Sequence, residues 1–319
     1  MKSNQGIPGR RSILKKMAVL TGSAIPLVSS GVTFAQALSI RAERLSDKVL
    51  LVKGPDSNVL VVDSNEGLIM VDGGHADWFD GLHSAIAENF PGKTYRALFN
   101  THWHREQTGS NLTLGEQGVE IIAHENTKLW LSTEVWQRWS DIIFPPLPAA
   151  ALPATIFFED GAMQIGDSHV QYGYLRGAHT DGDIWVYFED ENVLVTGGLV
   201  ANGRWPDLDW YTGGFIGSML DSFVSLLTVP NENTKIIPAY GDIMTLEELR
   251  AQNQMYLTIF DRLHASFIKS ESLAELLRAK PTAEFDAEMG DPTRFLTLAF
   301  QSIRGHLRDP QNDRFLNLP

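Results

Sequence analysis

The chain has 319 residues and no cysteine. That absence excludes disulfides, thiolate metal ligands and a cysteine nucleophile, so any bound metal must sit on His, Asp, Glu or Tyr. Positive charge is also scarce. Lys and Arg number 26 against 39 Asp and Glu, for a formal net charge of −13. A surface that acidic repels phosphate backbones, so nucleic acid is not an expected partner. A membrane-spanning run is missing too. The apolar stretch at residues 17–27 is too short to cross a bilayer and contains Gly22 and Pro26.

The flanks of that stretch give it a meaning. Arg10-Arg11-Ser12-Ile13-Leu14-Lys15 precedes it as a twin-arginine pattern, and Ala35-Gln36-Ala37 follows as a small-x-small cleavage site. Together they read as an export signal over residues 1–37, cut after Ala37. This route carries folded proteins to the bacterial periplasm, which suits a metal loaded in the cytoplasm. Cleavage removes five Lys or Arg and no acid, taking the charge from −13 to −18.

Strand-like runs at 49–52, 59–62, 68–71, 95–99 and 119–123 alternate with helical spacing at 79–90, 111–115 and 126–136. The second half repeats the theme, with strands at 155–158, 169–175, 184–188, 193–195 and 235–237 and a helix at 215–227. Such alternation predicts an α/β protein, and two β-rich halves with helices outside predict a four-layer sandwich. The character changes at Thr245. Thr245-Leu246-Glu247-Glu248 has capping-box spacing, an amphipathic run follows to 267, and further helices are expected at 273–277 and 293–306. The expected organisation is a signal peptide (1–37), an α/β sandwich domain (38–244) and a helical C-terminal extension (245–319). The extension would pack on the core or on a second subunit, where it could support a homodimer. Segment 142–156, rich in Pro, Ala and Leu, reads either as a buried connector or as an apolar lip over a pocket.

Chemistry gathers at Thr101-His102-Trp103-His104-Arg105-Glu106-Gln107, directly after the strand at 95–99. Residues two apart in an extended segment face the same side, so His102 and His104 can aim at one point. A third histidine, His179, stands in the glycine-punctuated loop Gly177-Ala178-His179-Thr180-Asp181-Gly182-Asp183. Three imidazoles and an open fourth position make a catalytic zinc geometry, in which bound water ionises near neutral pH.

Five segments now stand in order: Asp72-Gly73-Gly74, Thr101-His102-x-His104, Gly177-x-His179, Val195-Thr196-Gly197 and Ile237-Pro238-x-x-Gly241. Over roughly residues 47–245 this order resembles the metallo-β-lactamase fold superfamily. The resemblance implies an αββα sandwich with its metal site at one edge of the paired sheets, and a first metal site made of His102, His104 and His179. Four positions depart from the family pattern His-x-His-x-Asp-His and its later ligands. Glu106 and Gln107 stand where the family has Asp and His, Gly198 replaces the bridging Asp, and Tyr240 replaces the last ligand His. One zinc is expected and a stable second zinc is not.

These features predict a metal-dependent hydrolase acting on an ester, lactone, thioester or amide of a small molecule. Glu106 would be the general base or a fourth ligand. Tyr240 would donate to a developing oxyanion, and Asp181 or Asp183 would hold a ring N–H of a ligand histidine. Asp72 would anchor the loop after its strand. Arg204, in Asn202-Gly203-Arg204-Trp205-Pro206, would meet a substrate carboxylate or lie on a plain surface loop. His124 is read as a partner behind the ligands or as a packed core histidine. His75 could line the mouth of the site, while His83, His169, His264 and His306 read as structural or solvated. Trp103 and Trp210 would flank the pocket or simply pack. Two other readings use the same residues: a non-catalytic binding protein or pseudoenzyme, and an oxygen-activating iron protein with Glu106 as carboxylate ligand.

Overall fold

Strands that are apolar at every position need cover on both faces, and the runs at 67–71, 184–188 and 193–195 are of that kind, buried at every position. A computed structural model of the protein describes residues 40–54 and 56–306. The expected signal peptide and its cleavage point fall outside the described residues. The first sheet begins with the strands β1 (Arg41–Arg44), β2 (Val49–Lys53), β3 (Val59–Ser64) and β4 (Gly67–Val71). The helix α1 (Phe79–Asn89) leads to β5 (Tyr95–Phe99), then α2 (Arg105–Thr108), α3 (Asn111–Glu116), β6 (Glu120–His124) and α4 (Glu125–Leu131). A small hairpin of β7 (Val135–Gln137) and β8 (Ile142–Phe144) precedes β9 (Thr155–Phe157), which closes a seven-stranded sheet of order β1-β2-β3-β4-β5-β6-β9.

The second sheet holds β10 (Gly161–Ile165), β11 (Ser168–Tyr174), β12 (Ile184–Phe188), β13 (Val193–Val195) and, after α5 (Ile216–Leu226), β14 (Lys235–Ile237), in that order. The two sheets face each other. Leu51, Val62, Val71 and Phe99 from the first share one core with Val170, Val186, Phe188, Val195 and Ile237 from the second. The outer face of the first sheet (Leu50, Val61, Met70, Leu98) is covered by Leu82, Ile86 and Phe90 from α1 and its end, and by Leu114 of α3. Helices therefore lie outside two stacked sheets, as the alternation predicted.

The C-terminal extension supplies the remaining layer. It comprises α6 (Leu246–Ile268), α7 (Leu273–Ala279), α8 (Asp286–Met289) and α9 (Thr293–His306). Thr245 and Glu248 form the expected capping box at the start of α6. Leu249, Tyr256, Ile259 and Leu263 of α6 and Phe295 and Leu296 of α9 join one core with α5 and with Trp185, Leu194 and Ile236 on the outer face of the second sheet. The extension is packed on its own chain. No helix among the described residues is long and apolar enough to cross a membrane.

One expected span is corrected. The helix expected at 126–136 stops at Leu131, and Val135 to Gln137 instead pair with Ile142 to Phe144. In segment 142–156, Phe144, Leu147 and Leu152 pack against Trp103, Leu131 and Val135. The segment is a connector rather than a lip, but only partly buried: Ile142, Ile143, Pro145, Pro146, Pro148, Ala149, Ala150 and Ala154 are exposed.

Candidate metal centre

The histidines emerge where the first sheet ends. Strand β5 stops at Phe99, and α2 starts at Arg105 with His104 as its N-cap residue. Asp72, at the end of β4, fixes the turn between them. Its carboxylate accepts the backbone N–H of Thr101 at 2.8 Å and the Thr101 hydroxyl at 2.9 Å. Thr101 Oγ1 in turn lies 3.0 Å from Nδ1 of His102. Asp72 thus anchors the loop and also orients the first imidazole through Thr101.

The loop bearing His179 is tied from below. Asp183 accepts the backbone N–H of His179 at 2.5 Å and that of Thr180 at 2.7 Å, and the Thr180 hydroxyl at 2.8 Å. Asp181 accepts the indole N–H of Trp130 at 2.6 Å. Neither carboxylate holds a histidine ring, because Nδ1 of His179 has no hydrogen-bond partner. The ring-holding role expected of Asp181 or Asp183 belongs to Asp209, a residue the sequence did not single out. Its Oδ2 lies 3.1 Å from Nε2 of His104 and accepts the Thr212 hydroxyl at 2.6 Å. Trp103 is a fully buried member of this arrangement rather than a pocket wall, donating its indole N–H to Thr212 Oγ1 at 3.1 Å.

The three rings converge. One nitrogen each from His102, His104 and His179 lies within 4.8 Å of the others, and all three residues are buried. Nδ1 of His104 and Nε2 of His179 are 3.0 Å apart, and Nε2 of His102 is buried with no partner. Burial, reinforced by the neighbouring imidazoles, lowers the pKa of His102 and His179 well below the usual histidine range. For His104 burial works the same way, but the hydrogen bond and charge of Asp209 outweigh it and the net shift is upward. With its Nε2 proton given to Asp209, His104 turns the Nδ1 lone pair toward the other rings. Buried imidazoles converging on one point, two of them disfavouring charge and one with its inward Nε2 unpartnered, fit a cation held between them. No carboxylate joins this group among the described residues.

Of the four positions that depart from the family pattern, Gly198 lies against His179 and the charge of Glu106 acts on His104. A side-chain carbon on Gly198 would lie 2.8 Å from both Cγ and Nε2 of His179, so the His179 ring fills that space. Gln107 is fully buried, and neither polar atom of its amide has a partner. Ser57 Oγ holds the backbone carbonyl of Glu106 at 2.6 Å, while Asn58 Nδ2 holds the carbonyls of Pro238 and Gly241, each at 2.9 Å. One loop thus fixes both the Glu106 and the Tyr240 segments. Burial, followed by the charge of Glu106, pushes the Tyr240 hydroxyl above its ordinary range, which keeps it a neutral donor.

A cavity of about 430 Å3 opens beside these residues, lined by Lys53, Ser57, Arg204, Tyr240 and Asp242 among others. The Arg204 guanidinium carbon sits 4.2 Å above the Tyr240 ring. Trp210 lies elsewhere, bonded to Gln301, and Trp205 is buried against Phe295. His124 caps α4 by accepting from the backbone of Asn126 and stacks on Tyr174, which is its packing role. His75 caps the short turn at 76–78. Trp139, unremarked in the sequence, brings the hairpin turn against the ligand set, with its ring centroid 6.1 Å from that of His104.

Comparison with known proteins agrees with this geometry. The profile of the Metallo-beta-lactamase superfamily matches residues 52–241. The metallo-beta-lactamase type 2 of Bacillus cereus is 24% identical over 190 residues, covering 59% of this chain and 68% of that protein. Among solved structures, the metallo-beta-lactamase from Pontibacter korlensis superposes with a TM-score of 0.56 at 20% identity, over 69% of this chain and 99% of that one. The stereoselective inverting sec-alkylsulfatase Pisa1 from Pseudomonas sp. gives a TM-score of 0.65 at 14% identity, over 88% of this chain and 52% of that one. The profile match over more than half the chain, on the sandwich and around the three convergent histidines, places the protein in a family: it belongs to the metallo-beta-lactamase superfamily.

Proposed function

We propose that this protein is a single-zinc hydrolase that cleaves an ester, lactone, thioester or amide of a small molecule carrying an anionic group. The convergence of three buried imidazoles on one point carries the reading, with His102 and His179 held neutral by burial. His102, His104 and His179 would hold the ion, and Asp209 would set the tautomer of His104. Bound zinc supplies Lewis acidity and lowers the pKa of water. One ion is the count that suits Gln107, Gly198 and Tyr240, none of which offers a carboxylate or imidazole.

The remaining work falls to the chain. Glu106 stands in the first turn of α2, half-buried, and its charge acts on His104, Asp207 and Tyr240. From there it takes a proton from the attacking water as general base. Tyr240, neutral at any working pH, donates to the oxygen that gains charge at the reacting centre. Arg204 meets the substrate's anionic group at the cavity wall. The likeness to the alkylsulfatase extends over the C-terminal helices, and a sulfate monoester carries an anion of the kind Arg204 would meet, so sulfate esters belong beside acyl esters in one substrate screen. The twin-arginine pattern supports export to the periplasm.

The test is a screen of the zinc-loaded protein against nitrophenyl acyl and sulfate esters and lactones, with Glu106→Gln alongside. On any substrate found, Glu106→Gln should lower kcat by about 100-fold or more at unchanged zinc content. A Glu106→Gln variant with full kcat would remove Glu106 from the base role.

A further inference from the structure

The C-terminal extension reaches the cavity wall through one carboxylate. Arg294, the second residue of α9, meets Asp207 with two nitrogens, Nε at 2.7 Å from Oδ1 and Nη2 at 3.1 Å from Oδ2. A fork of this kind engages both carboxylate oxygens. Arg204 approaches the same carboxylate only to 3.6 Å. Its guanidinium rests instead over the Tyr240 ring, on the wall of the cavity. A second contact fixes the segment to the extension. Trp205 lies flat on Phe295 with ring centroids 5.0 Å apart, and its indole N–H donates to the carbonyl of Gly290 at 3.0 Å.

We propose that Arg294 is a positioning residue: by holding Asp207 in a two-nitrogen pair, it keeps Arg204 out of a closed ion pair and available, above Tyr240, to the substrate's anionic group. This rests on the reading of Arg204 as the anion anchor. Two guanidiniums compete for one carboxylate here, and the geometry shows which holds it. Without Arg294, Arg204 is the one guanidinium left in an ion pair with Asp207 among the described residues. Attraction between unit charges grows as they close, so Arg204 turns from Tyr240 to Asp207 and its charge is taken up inside the protein. The helical extension thereby becomes part of the substrate site without touching substrate.

The experiment uses the full zinc-loaded chain and inorganic sulfate as probe, at constant ionic strength, with binding read by titration calorimetry and zinc content checked for every variant. Arg204→Gln should abolish sulfate binding. Arg294→Ala should weaken it about 10-fold, and Arg294→Lys, which keeps the charge but loses the fork, should also bind more weakly than wild type. Adding Asp207→Asn to Arg294→Ala should restore binding, because no carboxylate remains to capture Arg204. If Arg204→Gln loses sulfate while Arg294→Ala or Arg294→Lys binds it as wild type does, the positioning role is wrong and the anchor stands. If the double variant stays as weak as Arg294→Ala, the loss was general damage and the proposal fails. If Arg204→Gln binds like wild type, the anchor itself is wrong and the proposal falls with it.

Discussion

Nε2 of His104 lies 3.1 Å from Oδ2 of Asp209, across 105 positions of sequence. Both side chains are buried, and the contact fixes which ring nitrogen of His104 carries the proton. Replacing Asp209 by Asn offers His104 an amide that cannot supply the same charge. Zinc affinity, measured by competition with a chromophoric chelator, should fall about 10- to 100-fold. Affinity equal to wild type would show that Asp209 does not set the ligand.

Gly198 carries a different prediction. The His179 ring leaves no room for a side chain there. Gly198→Ala should therefore cost about 1–3 kcal/mol of stability through overpacking and should weaken zinc binding by displacing His179. Gly198→Asp should suffer the same displacement and should not gain a second ion. Two zinc ions per chain in Gly198→Asp would contradict the steric account.

His83 ties stability to pH away from the metal centre. Its ring lies 2.5 Å from the Tyr95 hydroxyl and 3.0 Å from Ser110 Oγ. Burial lowers its pKa to about 4, while in the unfolded chain it titrates near 6.5. Between those values the unfolded chain binds a proton that the folded chain refuses. The contribution is therefore full above about pH 6.5 and is lost as pH falls toward 4. The difference in unfolding free energy between wild type and His83→Gln should shrink by on the order of 2 kcal/mol across this window. A difference that stays constant with pH would show that His83 titrates normally in the folded protein.

Much of the sandwich was legible because its strands are sealed on both faces. Residues 95–99, 184–188, 193–195 and 235–237 form strands at their expected bounds; 184–188 and 193–195 are continuous apolar runs buried throughout, and the other two bury their apolar ends. Strand β1 was not legible. Arg41 to Arg44 are exposed, three of the four charged, and pairing with β2 makes them a strand. The hairpin of β7 and β8 was hidden for a related reason: the spacing at 126–136 suits a helix, and the partner strand that overrides it lies in 142–144. At the site, the His-x-His pair announces itself because two ligands sit two residues apart. Asp209 and Arg294 act across 105 and 87 positions on side chains in other elements, with no local spacing to mark them. Asp181 and Asp183 looked better placed only because they neighbour His179 in sequence, and their carboxylates turn to an indole and to backbone amides instead.

The central claim is that three histidines hold one metal ion. The direct measurement is zinc content by mass spectrometry on the purified protein after zinc loading, beside His102→Ala and His179→Ala. About one zinc per chain, lost in both variants, is the predicted result. No stoichiometric metal in the loaded wild type, or zinc retained in both variants, would contradict the account and leave the fold as a scaffold for binding.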